Sequence, residues 1–141
     1  MVPGFNNNDK FRLELNLNSI FRQNYTNYFT VIINDASDDG SDELFRKYLE
    51  HHQISPEKYV YVEADKRNTA LENIYKGVHE YCSEDSIVMA VDGDDELIGR
   101  NVLKAFNAAH QQTGSGVIYS NYARYIQGNI LRQGDTLDYT P

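Results

Sequence analysis

The sequence predicts an α/β domain in which a mostly parallel sheet is flanked by helices. Two observations predict it. Short β-branched and aromatic runs such as YFTVIIND (Tyr28 to Asp35) and KYVYVEAD (Lys58 to Asp65) are strand-like, and segments with apolar residues at helical spacing separate them. The two kinds of segment alternate along the chain. Such alternation requires crossover connections, which leave the strands parallel with helices on both faces.

Taken in order, MVPGFNNNDK is the tail of a strand running into a loop, because Pro3, Gly4 and the Asn run favour turns. Phe11 to Arg22 carries Phe11, Leu13, Leu15, Leu17, Ile20 and Phe21; both periods are present, and its length and Leu content decide for a helix. The strand Tyr28 to Asp35 meets the turn cluster ASDDGSDE, where Ser41 or Asp42 is placed to cap a helix from Glu43 to His52. After the strand Lys58 to Asp65, a helix from Asn68 to Cys82 carries Leu71, Ile74, Tyr75 and Val78 as its apolar stripe. SIVMAVD (Ser86 to Asp92) is expected to be a buried strand, and Arg100 to Gln112 an amphipathic helix. Past the break TGSG, Gly116 to Ile126 is extended, and the remainder, QGNILRQGDTLDYTP, is a hairpin or loose coil. No repeat, low-complexity tract or domain boundary interrupts residues 1–141, so one domain is expected.

Composition excludes several classes of function. A formal net charge of −8 over 141 residues argues against a nucleic-acid surface, which needs clustered Lys and Arg to displace phosphate counterions. Cys82 is the sole cysteine, so no internal disulfide forms. No run approaches the ~20 apolar residues of a membrane span, and Met1 to Lys10 lacks the basic start and apolar block of a signal peptide. The expected setting is therefore soluble and cytoplasmic.

The informative residues are acidic. Asp35, Asp38 and Asp39 follow one strand, and Asp92, Asp94 and Asp95 follow another in VMAVDGDDEL. In an open parallel sheet ligands bind beyond the carboxyl ends of the strands, so both clusters fall on the edge where a ligand is expected. Like charges gathered there become favourable when a divalent cation neutralises them. Mg²⁺ takes one or two protein carboxylates and leaves its other positions to water and substrate phosphates. Two plainer readings stand beside this one. Asp92 to Glu96 also suits a solvated loop at a helix start, where acids interact well with the helix dipole. Asp35, Ser37, Asp39 and Gly40 match the start of a calcium-binding EF-hand loop, but Arg46 replaces its closing Glu and no helix precedes it. The chain has no GxxxxGK[ST], no GxGxxG after a strand, no GxSxG and no HExxH.

With these loops placed, the sequence resembles the GT-A-fold nucleotide-sugar glycosyltransferases of the inverting family-2 type, from Val2 to about Tyr122. VPGFNN looks like the family's Pro-x-Tyr/Phe-Asn segment at the end of the first strand. SIFRQNYTNYFTVIINDASDDGS is similar to its Ser-Ile-x-x-Gln-x-Tyr-x-Asn helix end, the following strand and the Asp-Asp-Gly-Ser loop. KRNTALENIYKGV resembles the nucleotide-side helix, and VDGDDEL the DxD motif. The order of these motifs makes the match more specific than a lone DxD.

The resemblance implies a GT-A-like, Rossmann-related fold and a set of roles. Pro3, Phe5 and Asn6 would border the uridine and ribose, Asp35 would hydrogen-bond the base, and Arg67 would approach the base or the diphosphate. Asn34 stands where many members carry a first Asp. Asp92 would face the ribose or sugar, Asp94 would be the main ligand to Mn²⁺ or Mg²⁺, with Asp92 the other candidate ligand, and Asp95 would support the loop or contact the sugar. The implied donor is a nucleoside diphosphate sugar, a UDP-sugar by expectation, and the acceptor is a hydroxyl on a glycan, protein or lipid. The family's catalytic base is a later carboxylate. Asp135 and Asp138 lie late, but their surroundings do not match its motif, so the base is expected outside this chain. On this reading the domain is a donor-binding half, truncated at both ends and lacking the acceptor part, with a neighbouring domain or a second copy to cover it. Two rivals remain: a non-catalytic nucleotide-sugar-binding module, and a Mg²⁺-dependent phosphotransfer domain, although DGDDE lacks the Thr or Val of a nucleophilic DxDx[TV].

Overall fold

The computed structural model describes residues 1–4, 9–120, 123–126 and 129–133. Phe5 and Asn6, and the late carboxylates Asp135 and Asp138, lie outside the described residues. The chain forms two compact units, Met1–Asn107 and Ala108–Pro141. In the first, β1 (Val2–Gly4), α1 (Lys10–Phe21), β2 (Thr30–Asn34), α2 (Ser41–His51), β3 (Tyr59–Glu63) and α3 (Ala70–Tyr81) follow one another, with a 3₁₀ turn at Pro56–Lys58 before β3. The helix α4 (Val102–Thr113) begins in this unit. The second unit holds an antiparallel pair, β4 (Ala123–Ile126) and β5 (Asn129–Gln133), with a register shift between Arg124 and Tyr125. Among the described residues of the expected extended run, only β4 is a strand; of the C-terminal remainder, Asn129–Gln133 adopts the paired form rather than coil.

The sheet is parallel, in the order β1-β2-β3. TVIIN of β2 is buried at every position, as a central strand covered on both faces requires. Alternate residues explain the layers. Ile32 joins Leu13 and Leu17 of α1 and Phe45, Tyr48 and Leu49 of α2 in the core, whereas Ile33 points to the opposite face and meets α3 at Gly77. The α/β class with helices on both faces is therefore observed. Among the described residues no helix is long and apolar enough to cross a membrane.

Local chemistry sets the helix starts. Asp9 caps α1 by accepting from the N–H groups of Phe11 and Arg12. Thr69 and Glu72 form a reciprocal capping box on α3. The expected caps of α2 need correction: Ser41 and Asp42 lie inside its first turn, and the cap position is Gly40, whose φ of 81° suits a residue without Cβ. Asp39 Oδ1 takes the Ser41 N–H instead.

Two further expectations need correction. The apolar stripe of α3 is covered only in part: Leu71 and Tyr75 are exposed, Ile74 and Val78 are half-buried, and Asn73 and Gly77 are the buried positions. A Cβ at Gly77 would stand 3.1 Å from the Met1 side chain and 3.2 Å from Ile33 Cδ1, so the contact face is made of small and polar residues that allow close approach. Nor is Ser86 to Asp92 a buried strand. It is an extended, largely exposed segment lying along the outer edge of β1, with Ile87 51% and Val88 40% exposed. The Met1 amino group donates to Met89 O at 2.6 Å, and Val91 N and Gly93 N donate to Met1 O and Pro3 O at 2.9 and 3.0 Å. These are bonds of a parallel ladder, and the return bond from Pro3 is impossible because proline has no N–H.

The contrast between α1 and α3 is directly testable. Leu17 is 0% and Leu71 76% exposed. Leu17→Ala should cost about 2–5 kcal/mol in urea unfolding, and Leu71→Ala should stay within about 0.5 kcal/mol of the parent.

Candidate functional site

Because β1, β2 and β3 are parallel, Gly4, Asn34 and Glu63 end on one edge of the sheet. The chain leaving β2 is held there by backbone bonds from Asp35 N to Gly4 O and from Ala64 N to Asn34 O, both 2.9 Å. The Asn34 side chain accepts from Ser37 N at 3.1 Å and so closes the start of the acidic loop. This turn needs an acceptor on a short side chain, which Asn supplies.

Asp35 is buried, and its Oδ1 accepts from Asn68 N at 2.8 Å. The Asn68 amide donates in turn to Asn73 Oδ1 at 3.1 Å, and Lys76 Nζ donates to Asn68 Oδ1 at 3.3 Å. The loop carrying exposed Arg67 is thereby tied to the end of β2.

The second acidic loop is a tight turn, closed by Asp95 N donating to Asp92 O at 3.0 Å. Buried Gly93 donates to Pro3 O at 3.0 Å, which fixes the turn against β1. Asp92, Asp94 and Asp95 are exposed. The Asp95 carboxyl is pushed above the usual carboxylate range, first by burial and then by the negative charges of Asp94 and Asp92. Pro3, Asp35, Asp92, Asp94, Asp95 and the Arg67 loop are all connected to this one edge, with the two acidic loops on either side of β1.

A group on α1 that sequence reading did not single out holds the second loop. Asn16, one of the most buried residues, donates through Nδ2 to Asp92 O at 2.9 Å and to Asp95 O at 2.6 Å. Ser19, further along the helix, and Gln23, just past its end, continue the contact. The signal in the sequence was their spacing: polar residues three and four apart, set among the leucines of an otherwise apolar helix face.

Among the described residues no three His, Cys, Asp or Glu side chains gather into a metal-holding group. The turn instead offers one or two carboxylates in a negative field, which fits a divalent cation whose remaining ligands are phosphate oxygens and water. A separate cleft of about 380 Å³, lined by residues that include Arg46, Leu49, Ile54, Tyr59 and Tyr61, contains none of the acidic-loop residues.

Comparison with known proteins agrees with this architecture. A sequence profile of glycosyl transferase family 2 matches residues 1–139. A search of curated proteins finds no match. Among solved structures, a mannosyltransferase from Pyrobaculum calidifontis, in complex with GDP-Man and Mn²⁺, is similar over 72% of this chain with a TM-score of 0.59 and 23% identity. This chain spans 28% of that protein's length, and the likeness shows the GT-A fold.

The repulsion at Asp95 has a measurable sign. Its folded-state carboxyl holds a proton more tightly than the ordinary value of 3.8, so the folded state loses stability as pH rises through the raised range. Asp95→Asn should therefore raise the Tm at about pH 7, and the gain should shrink as the pH is lowered toward about 4. Thermal melts of both proteins across that range check it.

Proposed function

The chain belongs to glycosyl transferase family 2, and on that premise we propose that its acidic edge binds a nucleoside diphosphate sugar through a divalent cation for inverting transfer to an acceptor hydroxyl. One observation carries the reading: Pro3 and Gly4, adjacent in β1, hold the Asp92 turn and the Asp35 loop respectively. A nucleotide lying across the end of β1 meets one loop with its base and the other with its diphosphate. The neighbour's complex with GDP-Man and Mn²⁺ supports the ligand class.

In this reading Asp35 receives the base. Asn68 N–H occupies Oδ1, which leaves Oδ2 to accept an N–H from the ring. Uracil offers N3–H, whereas cytosine presents an acceptor nitrogen at that position. Pro3, Phe5 and Asn6 border the nucleoside, and Arg67 approaches the base or the diphosphate. Asp94 is the principal metal ligand of the DxD motif, Asp92 faces the ribose or sugar and is the other candidate ligand, and Asp95 supports the turn. Mn²⁺ or Mg²⁺, when bound, supplies Lewis-acid stabilisation of the departing diphosphate. The base that deprotonates the acceptor is assigned to none of the described residues.

A second reading of the base has its own support. Guanine also presents N–H donors to a carboxylate, N1–H of the ring and the exocyclic amino group, and the neighbour holds GDP-Man, so a GDP-sugar competes with the UDP-sugar for this site. Thermal shift and calorimetry with UDP, GDP, CDP and their sugars, each with Mn²⁺ and with Mg²⁺, decide between them.

Two variants sharpen the test. Asp94→Asn should keep the fold and weaken metal-dependent nucleotide binding by about tenfold or more, roughly 1.4 kcal/mol; unchanged affinity would remove Asp94 from the metal. The wild type should bind UDP or GDP more tightly than CDP, and Asp35→Ala should lose that preference. A preference retained without the Asp35 carboxylate would place the base elsewhere.

A further inference from the structure

We infer that the polar face of α1 is the mount that sets the geometry of the Asp92 to Asp95 turn, with Asn16 as its positioning residue. The inference rests on the reading of that turn as the metal and diphosphate site. Asp92 to Asn101 contains no helix or strand, so its backbone groups need partners from elsewhere. α1 and Gln23, just past its C-terminal end, supply them in sequence. Asn16 Nδ2 reaches Asp92 O and Asp95 O at 2.9 and 2.6 Å. Ser19 Oγ accepts from Leu97 N at 2.9 Å while donating to Asn16 O at 2.7 Å. Gln23 Nε2 donates to Gly99 O at 2.7 Å, and its Oε1 accepts from Leu103 N at 3.2 Å.

On the loop and at the start of α4, every group gripped by these three side chains is a backbone group. The carboxylates of Asp92, Asp94 and Asp95 are left for a ligand. Asn16 matters most because one amide group takes the carbonyls at both ends of the turn, and so fixes the curvature from which the three carboxylates spread.

Stability alone does not explain Asn16. It sits between Leu13 and Leu17 with 1% exposure, where an apolar side chain of similar volume avoids the desolvation cost of an amide. Its Oδ1 is buried and finds no partner among the described residues. Its donor side is bonded twice, and both bonds go to the acidic turn.

The test uses Asn16→Leu and Ser19→Ala. Leucine fills the volume and removes the unpartnered oxygen, which offsets the loss of the two bonds to the carbonyls. In the full 141-residue chain, Asn16→Leu should lose about tenfold or more in Mn²⁺-dependent affinity for UDP or GDP. It should keep the wild-type preference against CDP, show little change in Tm, and exchange the amides of residues 93–97 faster. Ser19→Ala should show the same pattern more weakly, and it carries the test if Asn16→Leu does not fold. Wild-type metal-dependent affinity in a folded Asn16→Leu or Ser19→Ala protein overturns the inference alone. Equal losses of affinity, base preference and Tm reduce Asn16 to a structural role and also overturn it. A wild-type protein that binds neither nucleotide overturns the functional reading, and the inference falls with it.

Discussion

In a parallel ladder each residue turns its N–H and C=O toward one neighbour, and the next residue turns its pair toward the other. β1 has only three residues, Val2–Gly4, yet this alternation gives it two sides that matter. Val2 and Gly4 face β2, and Gly4 O receives Asp35 N; Met1 and Pro3 face the segment from Met89 to Gly93, and Pro3 O receives Gly93 N. The two acidic loops are thus brought to one edge by successive carbonyls of a single strand. Displace β1 and the loops have no common reference.

α1 shows how one helix serves both packing and the site. Leu13 and Leu17 enter the core with Ile32 and Phe45, and Asn16, between them, turns to the Asp92 loop. The helix that is buried for stability is therefore the one that carries the loop's mount. The electrostatic cost sits elsewhere, on exposed carboxylates where water screens much of the repulsion; the Asp95 carboxyl is pushed up by desolvation and then by Asp94 and Asp92.

Much of this was legible in the sequence. Strand composition and helical spacing located β2, β3, α1 and α2 because each covers an apolar run, most completely in TVIIN and in Phe45, Tyr48 and Leu49. The acidic loops were legible because loops after parallel strands share an edge. Three features were not. α3 buries Asn73 and Gly77 most deeply, a contact in which closeness replaces apolar area, so its hydrophobic stripe located the buried face only in part. The run Ser86 to Asp92 has strand composition, but whether a strand is completed depends on the donors of its partner, and Pro3 has none. Asn16 carried the weakest signal, since a single amide in a helix reads as a surface residue until the chain returns 76 residues later to meet it.

The grip of α1 on backbone groups alone separates architecture from recognition. Side chains at Glu96, Leu97 and Ile98 take no part in the bonds that fix the path of the loop. Ile98, 64% exposed, and its neighbours can therefore diverge without disturbing the scaffold beneath them. Asn16 and Ser19 of α1, and Gln23 just past it, have no such freedom. Drift in the loop would alter what the domain touches, while drift in the helix would alter whether the loop holds its shape. That division makes the loop the natural place for selection, or a mutant library, to explore new ligands on an unchanged frame.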